Sequence, residues 1–250
     1  MRHNRSYSRY NENNGHPTKP RGKVLAFLSI WWYNVWTLIP LSVIYSCMHL
    51  LLIPGGLASA GMTCVTTDLA RERHSFGLSD FADTVKRVWK QALCVGLINL
   101  LITAFLLFVG FFYYTSGGIL ATMGLGCCLM AMMIFSFVKY YLWPQIVLFR
   151  LPISKLYKNA FLFVFLNFRN NLIVGSISLA CYVLAAAAIL LLTHPTTVVL
   201  IMLLAVCVFP GFKQLLVQYC VFPSIKTHLI DPYYAEHPDA DIELRKRMDL

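Results

Sequence analysis

PGGLASAGMTCVTTDLARERHSFGLSDFADTVKRVWKQAL, residues 54–93, decides how this chain is threaded. The stretch opens on a helix-breaking corner, Pro54-Gly55-Gly56, and runs on through the small residues Leu57-Ala58-Ser59-Ala60-Gly61. A charged patch follows, from Asp68 to Arg73, and then the amphipathic segment 79–92. On both sides of it the chain is apolar over lengths that suit membrane helices.

Composition agrees. Of 250 residues, 58% are hydrophobic and 13% charged, and the mean hydropathy is +0.63. A soluble domain carries roughly 25% charged residues. The net charge of +10 would point to nucleic acid in a soluble protein. Here the charges are confined to four segments, so their placement argues for membrane topology and against a nucleic-acid partner.

Three blocks carry no formal charge: 24–67, 91–138 and 172–212. A membrane helix needs about 20 apolar residues, so each block fits a hairpin of two. Two turns are visible, Thr115-Ser116-Gly117-Gly118 and Thr193-His194-Pro195-Thr196-Thr197. The expected fold is all-α: a polytopic bundle of about six membrane-inserted helices in three hairpins, with two interfacial amphipathic helices. Residues 1–23 read as a disordered basic tail, 24–230 as a single transmembrane domain, and 231–250 as a charged tail. The apolar run 24–53 is about twice the length of a signal-peptide core and reads as a retained helix, with Trp31, Trp32, Tyr33 and Trp36 as an aromatic belt and a kink at Pro40.

Loops rich in Lys and Arg stay cytoplasmic. The tail up to Lys23 and the basic patches at 71–90 and 139–169 should then share the inner side of the plasma membrane, with both termini there. That requires 57–69 to cross or re-enter. Five full spans remain if it does not cross. Gly56 with Ala60, and Leu57 with Gly61, are four apart, which leaves a bare helix face for close packing through Gly56, Ala60 and Gly61.

Within 79–92, Phe81, Val85, Val88, Trp89 and Ala92 recur at helical spacing, while Asp83, Lys86, Arg87 and Lys90 make the opposite face. Such a helix lies flat at the interface or docks a partner. The candidate contacts with lipid or partner are Phe81, Asp83, Lys86, Arg87, Trp89 and Lys90. A second interfacial helix is expected over 154–168. The two middle units share a plan, with Trp89-Lys90-Gln91-Ala92-Leu93 placed like Phe168-Arg169-Asn170-Asn171-Leu172, a weak internal repeat.

No phosphate loop, dinucleotide motif, zinc motif or nucleophile motif occurs. The eight cysteines form no Cys-x-x-Cys pair and read as buried small hydrophobes. No carboxylate lies inside a span, which argues against a proton relay. No catalytic, cofactor-binding or metal-binding residue is assigned, and the chain reads as no enzyme and as needing no cofactor. Polar residues within the spans offer a cavity lining instead: Asn34, His49, Thr63, Thr66 and Asn99. Interhelical hydrogen bonds are the alternative account of them.

The order Pro54 to Met62, then Asp68-Leu69-Ala70-Arg71-Glu72-Arg73, then Ser75-Phe76 with Asp80-Phe81 and Trp89-Lys90-Gln91-Ala92, resembles the YesL-like family of bacterial membrane proteins. Asn159-Ala160 followed by 167–171 resembles that family's later loop, and the likeness covers 24–220. The corner before the small-residue run is longer in the family and is compressed here to Pro54-Gly55-Gly56. The resemblance implies an accessory role near carbohydrate uptake and brings no catalytic residues.

Two readings follow. One is an accessory or regulatory membrane subunit that docks transporter subunits through its cytoplasmic amphipathic helices, with the lipid bilayer as its other partner. The other is a small-solute carrier or channel acting on its own. The lack of buried charge favours the first.

Overall fold

The computed structural model describes residues 22–73, 75–149, 151–191 and 194–232. The expected tails, 1–23 and 231–250, fall almost wholly outside the described residues. The described residues form an all-α bundle. Its helices are α1 (Lys23–Leu50), α2 (Gly55–Ala70), α3 (Leu78–Ser116), α4 (Gly118–Leu148), α5 (Ile153–Leu166), α6 (Phe168–Leu191), α7 (Pro195–Cys207) and α8 (Phe209–Ile225), followed by a π-helical turn, Lys226–Ile230. Among the described residues, five segments are long and apolar enough to cross a membrane: α1, α3, α4, α6 and the run Pro195–Ile230 that contains α7 and α8. At 16 residues, α2 is about 24 Å long and is not one of them.

Local chemistry explains the breaks. Pro54 caps α2 after the corner. Gly117 and Gly118 have φ of 65° and 85°, a conformation that favours glycine, and join α3 to α4. Pro40 and Pro144 lie inside helices that run on through them. The last span is interrupted at Val208, just before Phe209-Pro210 opens α8.

One expectation is corrected here. Segment 79–92 is not a separate interfacial helix. It is the first part of α3, a single helix of 39 residues. Ala92-Leu93-Cys94-Val95 contains no breaker, so the helical hydrogen bonds continue from the charged segment into the apolar one. The second amphipathic helix is separate: α5 ends at Asn167, which leaves helical geometry with φ −118° and ψ 30°. Tyr141 Oη donates to Asn171 Oδ1 at 2.8 Å and Asn171 Nδ2 donates to the carbonyl of Val164 at 3.1 Å, so one buried amide ties α4, α5 and α6 together.

The centre of the bundle is α2. Twelve of its residues are buried, and it packs against α1, α3, α4 and α8. A Cβ on Gly56 would collide with the carbonyl oxygen of Ala92 and lie 2.8 Å from the Cα of Gly96, while one on Gly61 would lie 2.6 Å from the ring of Phe81. Rising numbers in α2 thus meet falling numbers in α3, and the two run antiparallel through a small-residue contact. Arg71 lies over the ring of Phe222 at 4.8 Å, and Tyr219 Oη donates to the carbonyl of Lys23 at 3.1 Å. The start of α1, the end of α2 and the later part of α8 therefore meet at one end of the bundle.

The α1–α2 corner does not reach the other end. Gly56 sits beside Gly96, and α3 continues about 20 residues further to Ser116, about 30 Å of helix. Leu50, Leu51, Leu52 and Ile53 at this corner are 57% to 84% exposed. Its backbone is largely satisfied from within: the N–H groups of Leu52, Ile53, Gly55 and Ala58 donate to the carbonyls of His49, Leu51, Leu52 and Pro54 at 2.7–3.3 Å. An exposed apolar turn with paired backbone donors suits hydrocarbon, where unpaired amides are costly.

Candidate functional site

Beside that corner lies a cavity of about 400 Å³, a size typical of small-molecule sites. Six helices supply its wall: α1, α2, α3, α4, α6 and α8. Two of them begin there. Gly55 and Gly56 open α2, and Phe209 and Pro210 open α8; all four residues line the space. The glycines leave room for it. A Cβ on Gly55 would already lie 3.2 Å from the His49 ring.

Several polar side chains of the wall are held by neighbours. His49 Nδ1 lies 2.9 Å from the carbonyl of Tyr45, and its Nε2 lies 3.3 Å from Ser59 Oγ. The His49 ring stacks on Tyr45 with centroids 4.0 Å apart. Lys139 Nζ donates to Thr103 Oγ1 at 3.1 Å and lies 4.8 Å from the Phe135 centroid. Lys213 Nζ lies 3.5 Å from Tyr182 Oη. Tyr157 Oη donates to Asn99 Oδ1 at 2.9 Å, and burial pushes the Tyr157 phenol up to about 12, so it remains a protonated donor at neutral pH. Gln214 Nε2 donates to Thr63 Oγ1 at 2.6 Å.

The structure brings only some of the sequence candidates together. His49 and Asn99 line the cavity. Thr63 stands behind it and holds Gln214. Asn34 is elsewhere, donating to the carbonyl of Ile30 in its own helix at 2.8 Å. Thr66 is fully buried and donates to the carbonyl of Met62 at 2.8 Å. Of the lipid or partner set, Phe81 turns inward against Gly61, whereas Asp83, Lys86, Arg87, Trp89 and Lys90 are exposed. Gly56, Ala60 and Gly61 are buried in α2.

Sequence reasoning missed the two lysines. Lys139 and Lys213 each follow an uncharged block, so they read as interfacial side chains that reach toward water. A signal was available: Lys139 lies nine residues before the end of α4 and Lys213 lies in the first turns of α8, just after Pro210. Neither position is at the outer end of a span.

No family model, no curated protein and no solved structure matches this chain.

Proposed function

We propose that the protein is a multi-pass membrane protein that binds a small solute at membrane depth and carries it. One observation carries this reading: the cavity lies where the α1–α2 hairpin turns and where the last span is broken between α7 and α8. Interrupted helices placed around a central cavity are how carriers build solute sites inside a bilayer. In this reading α1 and α2 form a re-entrant hairpin, and the end of the bundle that holds Lys23, Arg71 and Phe222 faces the cytoplasm of a plasma membrane. Reporter fusions at residues 10 and 245 should both score as cytoplasmic. An external score at either one contradicts the topology.

The test of function is reconstitution of the protein alone in liposomes, followed by counterflow of labelled small solutes. Saturable counterflow that is lost in Thr103→Trp, which fills the cavity, is the expected outcome. Counterflow unchanged by that substitution overturns the assignment of the site.

The accessory-subunit reading, which the YesL-like resemblance implies and links to carbohydrate uptake, is favoured by a different observation. Asp83, Lys86, Arg87, Trp89 and Lys90 form an exposed face on the first part of α3. Stable co-purification with permease and ATPase subunits, without counterflow by the protein alone, would support it.

A further inference from the structure

The cavity wall carries positive charge without a visible counter-charge. Lys139 and Lys213 both line it. No Asp or Glu lines it among the described residues. The ammonium group of Lys139 is hydrogen-bonded to Thr103, a side chain of a neighbouring helix. A cation among apolar helices is stable only when something compensates it.

Two further features have the same sign. The first turns of α2 and α8 form part of the wall, and a helix N-terminus carries partial positive charge. Neither helix has a side-chain bond from its own N-cap; in α2 the N–H groups of Gly55 and Ala58 already donate to the carbonyls of Leu52 and Pro54, and in α8 those of Gly211 and Phe212 donate to Ser42 Oγ and the carbonyl of Val208.

The most specific feature is Asn99. It is only 6% exposed and lines the cavity. Its Oδ1 is engaged by Tyr157, yet Nδ2 has no hydrogen-bond partner. Asn171, equally interior, uses both ends of its amide. A buried donor without a partner is costly, and in a cavity that already holds two cations it marks a place for an acceptor.

We infer that this cavity binds the phosphate or carboxylate group of a small organic anion, with Lys139 and Lys213 neutralising it, Asn99 Nδ2 donating to it and the first turns of α2 and α8 facing it. The inference rests on the solute-binding reading and adds the chemical class of the solute. About 400 Å³ is room for an organic anion and more than a bare inorganic ion needs. A phospholipid headgroup has the same chemistry, and basic sites between membrane helices do take such headgroups; the experiment separates the two sources.

The protein is placed in phosphatidylcholine nanodiscs, and its thermal unfolding is followed with succinate, glycerol 3-phosphate or glucose at matched ionic strength. Either anion should raise the unfolding temperature in a saturable way, and glucose should not. Lys139→Met and Lys213→Met should each weaken the anion effect at least tenfold, and Asn99→Leu several-fold. Lys139→Arg should retain it, which keeps the test valid if a Met variant fails to fold. If phosphatidylglycerol in the disc stabilises the protein and abolishes the response to soluble anions, an anion site is supported and its occupant is a headgroup. Stabilisation by glucose that is unchanged in both lysine variants overturns the anion class and leaves the solute cavity standing. Anion stabilisation unchanged in both lysine variants, or no response to any anion or anionic lipid, also overturns the inference.

Discussion

The hairpin α1–α2 and the distal part of the hairpin α3–α4 are built from opposite materials. The returning arm, α2, is rich in Gly, Ala, Ser and Thr, and most of it is buried. Beyond Gly96, α3 and the first part of α4 are rich in Leu, Phe and Met, and side chains such as Leu101, Phe108, Phe111, Leu120 and Met130 stand 61% to 80% exposed. In water the second composition would form the core. In hydrocarbon, apolar side chains gain nothing by leaving the solvent, and helices associate by close approach and hydrogen bonds. The helix of small residues therefore becomes the centre. The contrast also locates the cavity, which opens where the short central hairpin ends and the long outer one continues.

Substitutions in α2 should break this contrast most severely. Gly56→Leu meets the backbone of α3 at Ala92 and Gly96, and backbone cannot swing aside. A cost of about 3 kcal/mol or more should leave little folded protein in detergent, measured as the monodisperse fraction on gel filtration. Gly61→Leu meets the ring of Phe81, which can partly yield, so a loss of about 1–3 kcal/mol is expected. Leu57→Ala removes a half-buried side chain and should cost less than Gly61→Leu. Equal yields of the last two variants would mean that the bare face of α2 does not set the packing.

On the exposed face of α3 the effects should be small. Arg87 reaches the carbonyl of Val147 only at 3.4 Å and is exposed. Arg87→Lys and Arg87→Glu should each change thermal stability by no more than about 0.5 kcal/mol. Binding is a sharper assay there. If this face only attracts anionic lipid, Arg87→Lys is silent and Arg87→Glu weakens vesicle affinity by about 1 kcal/mol or more. If it docks a protein through a planar guanidinium contact, Arg87→Lys already weakens the complex.

Much of the bundle was legible in the sequence, because uncharged blocks and turn residues mark hairpins directly. The grouping of charge predicted that Lys23 and Arg71 lie at the same end, as the contacts around Tyr219 and Phe222 bear out. The continuity of α3 was not legible: hydropathy changes at residue 92, but backbone hydrogen bonding responds to breakers, and none is there. Two polar residues of the cavity were legible for a different reason. His49 and Asn99 stand out as polar residues inside apolar runs. Lys139 and Lys213 do not, because a lysine beside an apolar block looks the same whether its ammonium group reaches water or turns toward a neighbouring helix. Only the depth of the helix breaks around Pro54 and Pro210 distinguishes the two cases, and depth is a tertiary property.

The central claim is that the α1–α2 corner turns inside the hydrocarbon while the α3–α4 turn reaches the far surface. It can be measured with one environment-sensitive non-natural side chain placed at Leu52 or at Ser116, in bilayers whose lipids carry bromine quenchers at known depths. The account predicts that the probe at 52 is quenched most strongly by deep bromines and is shielded from an aqueous quencher, and that the probe at 116 shows the reverse. A probe at 52 as open to the aqueous quencher as the one at 116 would place both turns at a surface and contradict the half-depth hairpin.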